Sequence, residues 1–218
     1  IFSAQTLLGF NADISTARFA NVAFSNGSLL ESFVRRLEKR QPLAVPRAVE
    51  RYFVSPHESG EICTLAAFGA PNGSIVVPDF ESKISLVPLE DVARDFLRHH
   101  GFDPIELEDE DAARAAVPQD GTATGYPLLL TPLDTSGEKP YEEFVGQGEQ
   151  LVDLGLSSVA AVGYTGCDLE KLKTVLWTLK AACQGDRMVS RDMLIGQVSD
   201  LVPQFKYILS DAHLDQRM

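Results

Sequence analysis

The sequence has no apolar run near the roughly 20 residues that a membrane-spanning helix needs, so no membrane span is expected. Cysteine is scarce. Cys63, Cys167 and Cys183 are odd in number and widely spaced, which argues against a disulfide framework or a zinc ribbon. They read instead as reduced thiols of a cytoplasmic protein, with Cys63 and Cys183 on the apolar faces of their helices. Positive charge is short: 19 Lys and Arg face 31 Asp and Glu, a net charge of −12, so no nucleic-acid partner is expected. The four histidines form no H-x-H or H-x-x-x-H pair, and the acidic run from Glu106 to Asp111 lacks the glycine and alternating ligands of a calcium loop. No metal site is expected. Neither a G-x-S-x-G elbow nor a G-x-x-x-x-G-K-[ST] loop is present. The first ten residues are apolar without a basic segment or cleavage site, so they do not read as a signal peptide. With no Met at position 1, the chain is expected to begin inside a longer protein.

What remains is an ordinary globular composition, 44% hydrophobic and 23% charged, in 218 residues. That length suits one large domain or two small ones. Charge is unevenly spread. Residues 1–60 carry 7 Lys and Arg against 5 Asp and Glu, and the remainder carries 12 against 26. A locally basic quarter of an acidic protein suits a small anionic ligand, and equally suits an uneven surface with no role.

The pattern predicts a helix end closed near Gly9, then a strand from Ser15 to Val22. A polar turn, Ser25-Asn26-Gly27-Ser28, leads to a helix with Leu30, Phe33 and Leu37 on one face. Pro42 stops it, and Leu43-Ala44-Val45 is extended. Arg51 to Val54 reads as a strand, and Ser55-Pro56-His57-Glu58 as a capping box that opens a helix to about Gly69. Strands are expected at Ser74 to Val77 and Lys83 to Val87. Leu89, Val92, Ala93, Phe96 and Leu97 mark an amphipathic helix ended by Gly101. Strand and helix alternate to this point, which predicts an α/β layer structure. Beyond it a short helix is expected at Ala112 to Val117, a strand at Tyr126 to Leu130, and a turn feeding a short helix over Ser136 to Phe144. Asp168 caps a long helix with Leu169, Leu172, Leu176, Leu179 and Cys183 on one face. A last helix runs from about Arg191 to Val202.

One set of polar groups suits a phosphorylated ligand. Asn21 ends a strand, and Asn26, Gly27 and Ser28 open a helix whose first N–H groups and dipole favour an anion. Arg51 begins a strand, while Glu138 and Lys139 sit in a turn. Each also has a plain structural reading: a helix cap, a surface ion pair, a solvated turn.

In that order, RFANVAFSNGSLLESFVRRLEKRQPLAV, ERYFVSPHESGEICTLAAF, ISLVPLEDVARDFLRHHGFDP and SGEKPYEEF resemble segments of a known family. This is the extended short-chain dehydrogenase/reductases acting on nucleotide sugars, in particular the polysaccharide-biosynthesis group of UDP-N-acetylglucosamine 4,6-dehydratases. The resemblance runs from about Ser15 to Phe144. It implies the C-terminal part of the α/β fold: the end of a Rossmann sheet with a substrate-binding subdomain over 1–104, and the rest of that subdomain with an α-rich extension over 105–218. It implies that Asn21 bonds the substrate's phosphate or sugar, and that Ser28 and Leu29 present backbone N–H groups to the pyrophosphate. Pro42, Leu43, Ala44 and Val45 would frame the uracil. Arg51 would pair with the pyrophosphate, and Glu138 and Lys139 would lie near the nucleotide or sugar.

In this family the sugar is oxidised at C4 by hydride transfer to a nicotinamide. Water is eliminated across C5 and C6, and the hydride returns to C6. The glycine-rich dinucleotide fingerprint and the Tyr-x-x-x-Lys motif that serve this chemistry are absent from the sequence. The resemblance therefore implies a substrate-binding portion whose full-length enzyme uses NAD or NADP, with no cofactor held by these residues and no catalytic residue among them. A UDP-sugar substrate and a homo-oligomer follow from it. An exposed apolar patch around Ile1, Phe2, Leu7, Leu8 and Phe10 is expected where the other half would pack. Two alternatives stay open: a non-catalytic sugar-nucleotide-binding or scaffold module, and a related UDP-sugar epimerase or reductase.

Overall fold

A computed structural model describes residues 2–9, 11–78, 86–119, 123–134, 139–185, 188–202, 205 and 207. The first elements are α1 (Phe2–Leu8), β1 (Ser15–Ala17), β2 (Asn21–Val22), α2 (Leu29–Glu38) and β3 (Leu43–Pro46). β4 (Glu50–Arg51), β5 (Phe53–Val54), α3 (Pro56–Gly69), β6 (Ser74–Pro78), β7 (Val87–Pro88) and α4 (Leu89–His99) follow. The remainder comprises β8 (Asp103–Leu107), α5 (Glu110–Ala115), β9 (Gly125–Thr131), β10 (Leu151–Val152), β11 (Val159–Gly163), α6 (Leu169–Cys183) and α7 (Arg191–Leu201).

The helix starts follow the sequence. Ser28 caps α2, its Oγ accepting from the Glu31 N–H at 3.2 Å. Gly27, at φ +79°, supplies the left-handed turn just before it. At α3 both arms of the capping box form, between Ser55 and Glu58, with Pro56 at the first helical position. Asp168 caps α6 by accepting from the N–H groups of Glu170 and Lys171. α4 ends at Gly101, φ +84°, where the Phe102 N–H reaches the Leu97 carbonyl at 3.0 Å.

The strands form four small sheets among the described residues. Parallel β3, β9 and β8 lie in that order and draw strands from both sides of residue 104. The main core sits on this sheet. Phe33 of α2, Leu97 of α4, Leu43 and Val45 of β3, and Leu128 and Leu130 of β9 are each no more than 2% exposed. A second sheet runs β1-β6-β11-β10, with β1 parallel to β6 and the others antiparallel. α3 covers it through Ile62 and Ala66. Two further sheets are two-stranded pairs, parallel β2 with β5 and antiparallel β4 with β7.

Several expectations need correction. Ser15 to Val22 is two strands, because the chain changes sheets across Arg18 to Ala20. The strand expected at Arg51 to Val54 splits in the same way at Tyr52. The strand expected at Lys83 to Val87 falls mostly outside the described residues. Lys139 to Phe144 is irregular where a short helix was expected. Pro140 leads this segment, and its carbonyl and the Glu142 carboxylate turn to residues of other strands. On α6 the buried positions are Val175 and Thr178, while Leu176, Leu179 and Cys183 are exposed. Cys63 is exposed too, so neither thiol is a core residue. Of the expected N-terminal patch, Leu8 is 75% exposed, whereas the Phe2 ring packs 5.0 Å from that of Tyr164.

Candidate functional site

The conspicuous feature is an irregular strap, Pro140 to Glu149, laid across the strand ends at residues 18–22 and 50–54. The strap begins where the Glu50 N–H donates to the Pro140 carbonyl at 2.8 Å. Glu142 comes next, both of its oxygens facing Asn21 Nδ2 at 3.3 and 3.1 Å and its Oε1 lying 3.6 Å from Arg51 Nε. Phe144 is buried with Ala20 and Val54, its ring edge-on to Tyr52 at 5.3 Å. Last, Arg18 binds Glu149 through two parallel bonds of 2.8 and 3.0 Å and donates to the Phe144 carbonyl at 2.7 Å. That guanidinium holds the Glu149 carboxyl below the usual carboxylate range, helped by the Gly146 N–H.

Donor and acceptor chemistry fixes the Asn21 amide. Its Nδ2 faces the Tyr52 carbonyl at 3.2 Å and the Glu142 carboxylate, both of which only accept. The amide nitrogen is thereby committed, and Oδ1, an acceptor, is the polar atom left toward a ligand. Arg51 is similarly engaged. Its Nη1 donates to the Glu50 carbonyl at 2.9 Å and to the Pro140 carbonyl at 3.4 Å, and Nε faces Glu142.

The other expected residues divide. Ser28 cannot offer its backbone N–H to a ligand, because the tight turn gives it to the Ser25 carbonyl at 2.9 Å. The Gly27 N–H is held by the Glu31 carboxylate at 2.5 Å, which places a negative charge where an anion was expected. Gly27 is the largest cause that keeps the Glu31 carboxyl below its ordinary pKa. The Leu29 N–H has no partner among the described residues. Leu43 and Val45 do not form an open apolar wall. Strand alternation turns both side chains into the core at 0% and 1% exposure.

Ala44 differs. The Arg47 N–H donates to the Thr131 carbonyl, so odd-numbered residues of β3 pair with β9. The peptide groups of Ala44 then face the free edge of the sheet, where no described strand pairs. One donor and one acceptor on a strand edge suit the edge of a planar base. Pro42 is buried, and its carbonyl accepts from Arg36 at 3.3 Å. Lys139 is exposed and lies 3.7 Å from Glu143. Glu138 lies outside the described residues.

Sequence reasoning therefore brought Asn21 and Arg51 to one point and missed the group that joins them. Glu142 stood in the quoted segment SGEKPYEEF, but nothing in the local sequence ties it to Arg51. Nothing local linked Arg18 to Glu149, 131 residues on. An open groove along α3, lined by Pro56, His57, Gly60, Glu61, Thr64 and Leu65, shares no residue with this notch. Among the described residues no group of His, Cys, Asp and Glu has the arrangement of a metal site. Likewise, no described helix is long and apolar enough to cross a membrane.

Comparison with known proteins gives the family. No curated protein matches the chain. Fourteen chains of solved structure match, among them the X-ray structure of Pen from Bacillus thuringiensis. Pen superposes with a TM-score of 0.54 at 18% identity, over 76% of this chain and 44% of Pen. The chain thus spans less than half the length of Pen, and at that identity the likeness is one of mixed α/β fold. A family model described as polysaccharide biosynthesis protein matches residues 3–162. By that match the chain belongs to the polysaccharide biosynthesis protein family.

Proposed function

We propose that the chain is the substrate-binding portion of an NAD(P)-dependent UDP-sugar 4,6-dehydratase, UDP-N-acetylglucosamine being the type of substrate. Its fold would be the C-terminal part of an extended short-chain dehydrogenase/reductase. One observation carries the reading. Three stretches that resemble this family, at Asn21, Arg51 and Glu142, lie far apart in sequence and meet in one notch. A guanidinium, a carboxamide and a carboxylate there, with the Ala44 strand edge elsewhere on the fold, form a polar set suited to a sugar diphosphate and a base.

The cofactor does not fit on these residues. A dinucleotide needs a glycine-rich turn whose free N–H groups meet the pyrophosphate. Of the glycines that lie between a strand and a helix among the described residues, Gly27 gives its N–H to Glu31, and the Gly163-x-x-Gly166 turn before α6 lacks the fingerprint's third glycine, Leu169 standing in its place. NAD or NADP is accordingly assigned to the full-length enzyme, as is assembly into a homo-oligomer. The residues of this chain bind and orient.

Titration calorimetry with UDP and uridine tests the reading. UDP is expected to bind more tightly than uridine, and Arg51→Ala to remove most of that difference while leaving uridine unchanged. Arg51→Lys should restore only part, since an ammonium does not reproduce the planar fork. Equal affinities for UDP and uridine in folded wild-type protein would exclude a phosphate role for Arg51.

A further inference from the structure

We propose that Glu142 is a tethered counter-ion that sets the selectivity of the Asn21–Arg51 notch, so that a diphosphate engages those two residues only by displacing it. The inference rests on the nucleotide-sugar reading above and deepens it.

Most of the donors that a phosphate needs are present but taken. Asn21 Nδ2 lies 3.1 Å from one Glu142 oxygen and 3.3 Å from the other, and Arg51 Nε lies 3.6 Å from Oε1. Arg51 Nη1 is committed to two main-chain carbonyls, which leaves Nη2 as the guanidinium nitrogen with no partner among the described residues. While Glu142 stays, the notch is neutral and shows a ligand the Asn21 carbonyl oxygen and Arg51 Nη2. When Glu142 leaves, it becomes cationic and gains an amide N–H and a guanidinium N–H. The same two residues thus suit a hydroxyl in one state and an anion in the other.

The contact is built to open. At 3.6 Å the Arg51–Glu142 pair is an ion pair without a good hydrogen bond, and 35% of the Glu142 side chain is already exposed. Seven residues on, the same strap is held by the two short bonds from Arg18 to Glu149, with Phe144 buried between. The carboxylate can therefore swing away while the strap stays docked. A phosphate with two oxygens matches a planar guanidinium better than one distant carboxylate oxygen does. A neutral nucleoside has no means of displacing it.

Calorimetry with inorganic pyrophosphate, UDP and uridine on wild type, Glu142→Gln, Arg51→Ala and the double variant is the test. Gln keeps the shape and an acceptor for Asn21 but removes the charge. Glu142→Ala repeats the measurement should Gln disturb the fold. Glu142→Gln is expected to bind pyrophosphate and UDP roughly tenfold more tightly, equivalent to about 1.4 kcal/mol, with uridine unchanged. That gain should vanish in the Arg51→Ala background. If Arg51→Ala weakens UDP while Glu142→Gln binds it no better than wild type, Glu142 is a brace and this inference falls while the nucleotide reading stands. If Arg51→Ala leaves UDP binding unchanged, or if neither wild type nor Glu142→Gln binds pyrophosphate at millimolar concentration, both fall.

Discussion

The β3-β9-β8 sheet with α2 and α4 is held by buried apolar side chains, whereas the Pro140–Glu149 strap is held by charges, carbonyls and one aromatic ring. The contrast separates two jobs. Burial of Phe33, Leu43, Leu97 and Leu128 is indifferent to salt and to mild acid, and it fixes where α2 and β3 lie. The strap's contacts are few, partly solvated and separable. Such a segment can rearrange around a ligand without unfolding the domain. The candidate site lies on the second kind of structure and is positioned by the first.

The largest expected effect falls on the apolar side. Phe33 is fully buried, its ring 5.4 Å from that of Phe96. Phe33→Ala should cost about 3–5 kcal/mol, a large share of a single domain's stability. An unfolding free energy, read from the urea midpoint at constant slope, that falls by less than about 1 kcal/mol would deny that this layer dominates. Next comes Phe144→Ala. Among the described residues the buried partners of its cluster are Ala20 and Val54, so the loss should sit near about 3 kcal/mol, the low end for such changes. Its signature should be local. Hydrogen exchange is expected to quicken over 140–149 while β9 stays protected, and equal loss in both regions would merge the two into one cooperative unit.

Much of the first region was legible in the sequence and little of the second. Helical periodicity marked Leu30, Phe33 and Leu37, and the Ser28, Ser55 and Asp168 caps formed as read. Local patterns suffice where local geometry decides. The errors came where tertiary pairing decided. Ser15 to Val22 has the composition of one strand, yet its two ends join different sheets. Leu43 and Val45 alternate as a strand should, but nothing local says which face meets α2 and α4. On α6 the Leu169-Leu172-Leu176-Leu179 spacing named a face, and tertiary packing chose Val175 and Thr178 instead. Asn21 and Arg51 were candidates from their residue types, and the family resemblance gave them their roles. Glu142 acquires its meaning only once the strap folds back over 121 residues of chain.

A smaller effect is expected from Arg18→Met, which keeps the apolar stem and removes the charge. It deletes the two bonds to Glu149 and the one to the Phe144 carbonyl. The partners are partly exposed, 34% and 25%, so the loss should be about 1–2 kcal/mol and should shrink in high salt. A loss that is the same at low and high salt would point to packing by the stem as its cause.

The smallest effect isolates the proton linkage of that same pair. Glu149 is held below its ordinary pKa, first by the Arg18 hydrogen bond and then by the Gly146 N–H. Its folded pKa lies under the unfolded value of about 4.3, so the stabilisation is complete above that value and disappears as pH falls through the folded one. The buried apolar layer carries no such dependence. Wild type and Arg18→Met should therefore differ by a constant amount from neutral pH to about 5 and converge below about 4. The part lost is under about 1 kcal/mol, because the pair is partly solvated. It should be read as the difference between the two proteins, since Glu31, Glu58 and Glu106 are also depressed and make both lose stability in acid. Urea unfolding of both proteins across that range measures it. A gap that stays constant down to about pH 3 would mean that the Arg18–Glu149 bond is not the link through which the strap senses protons.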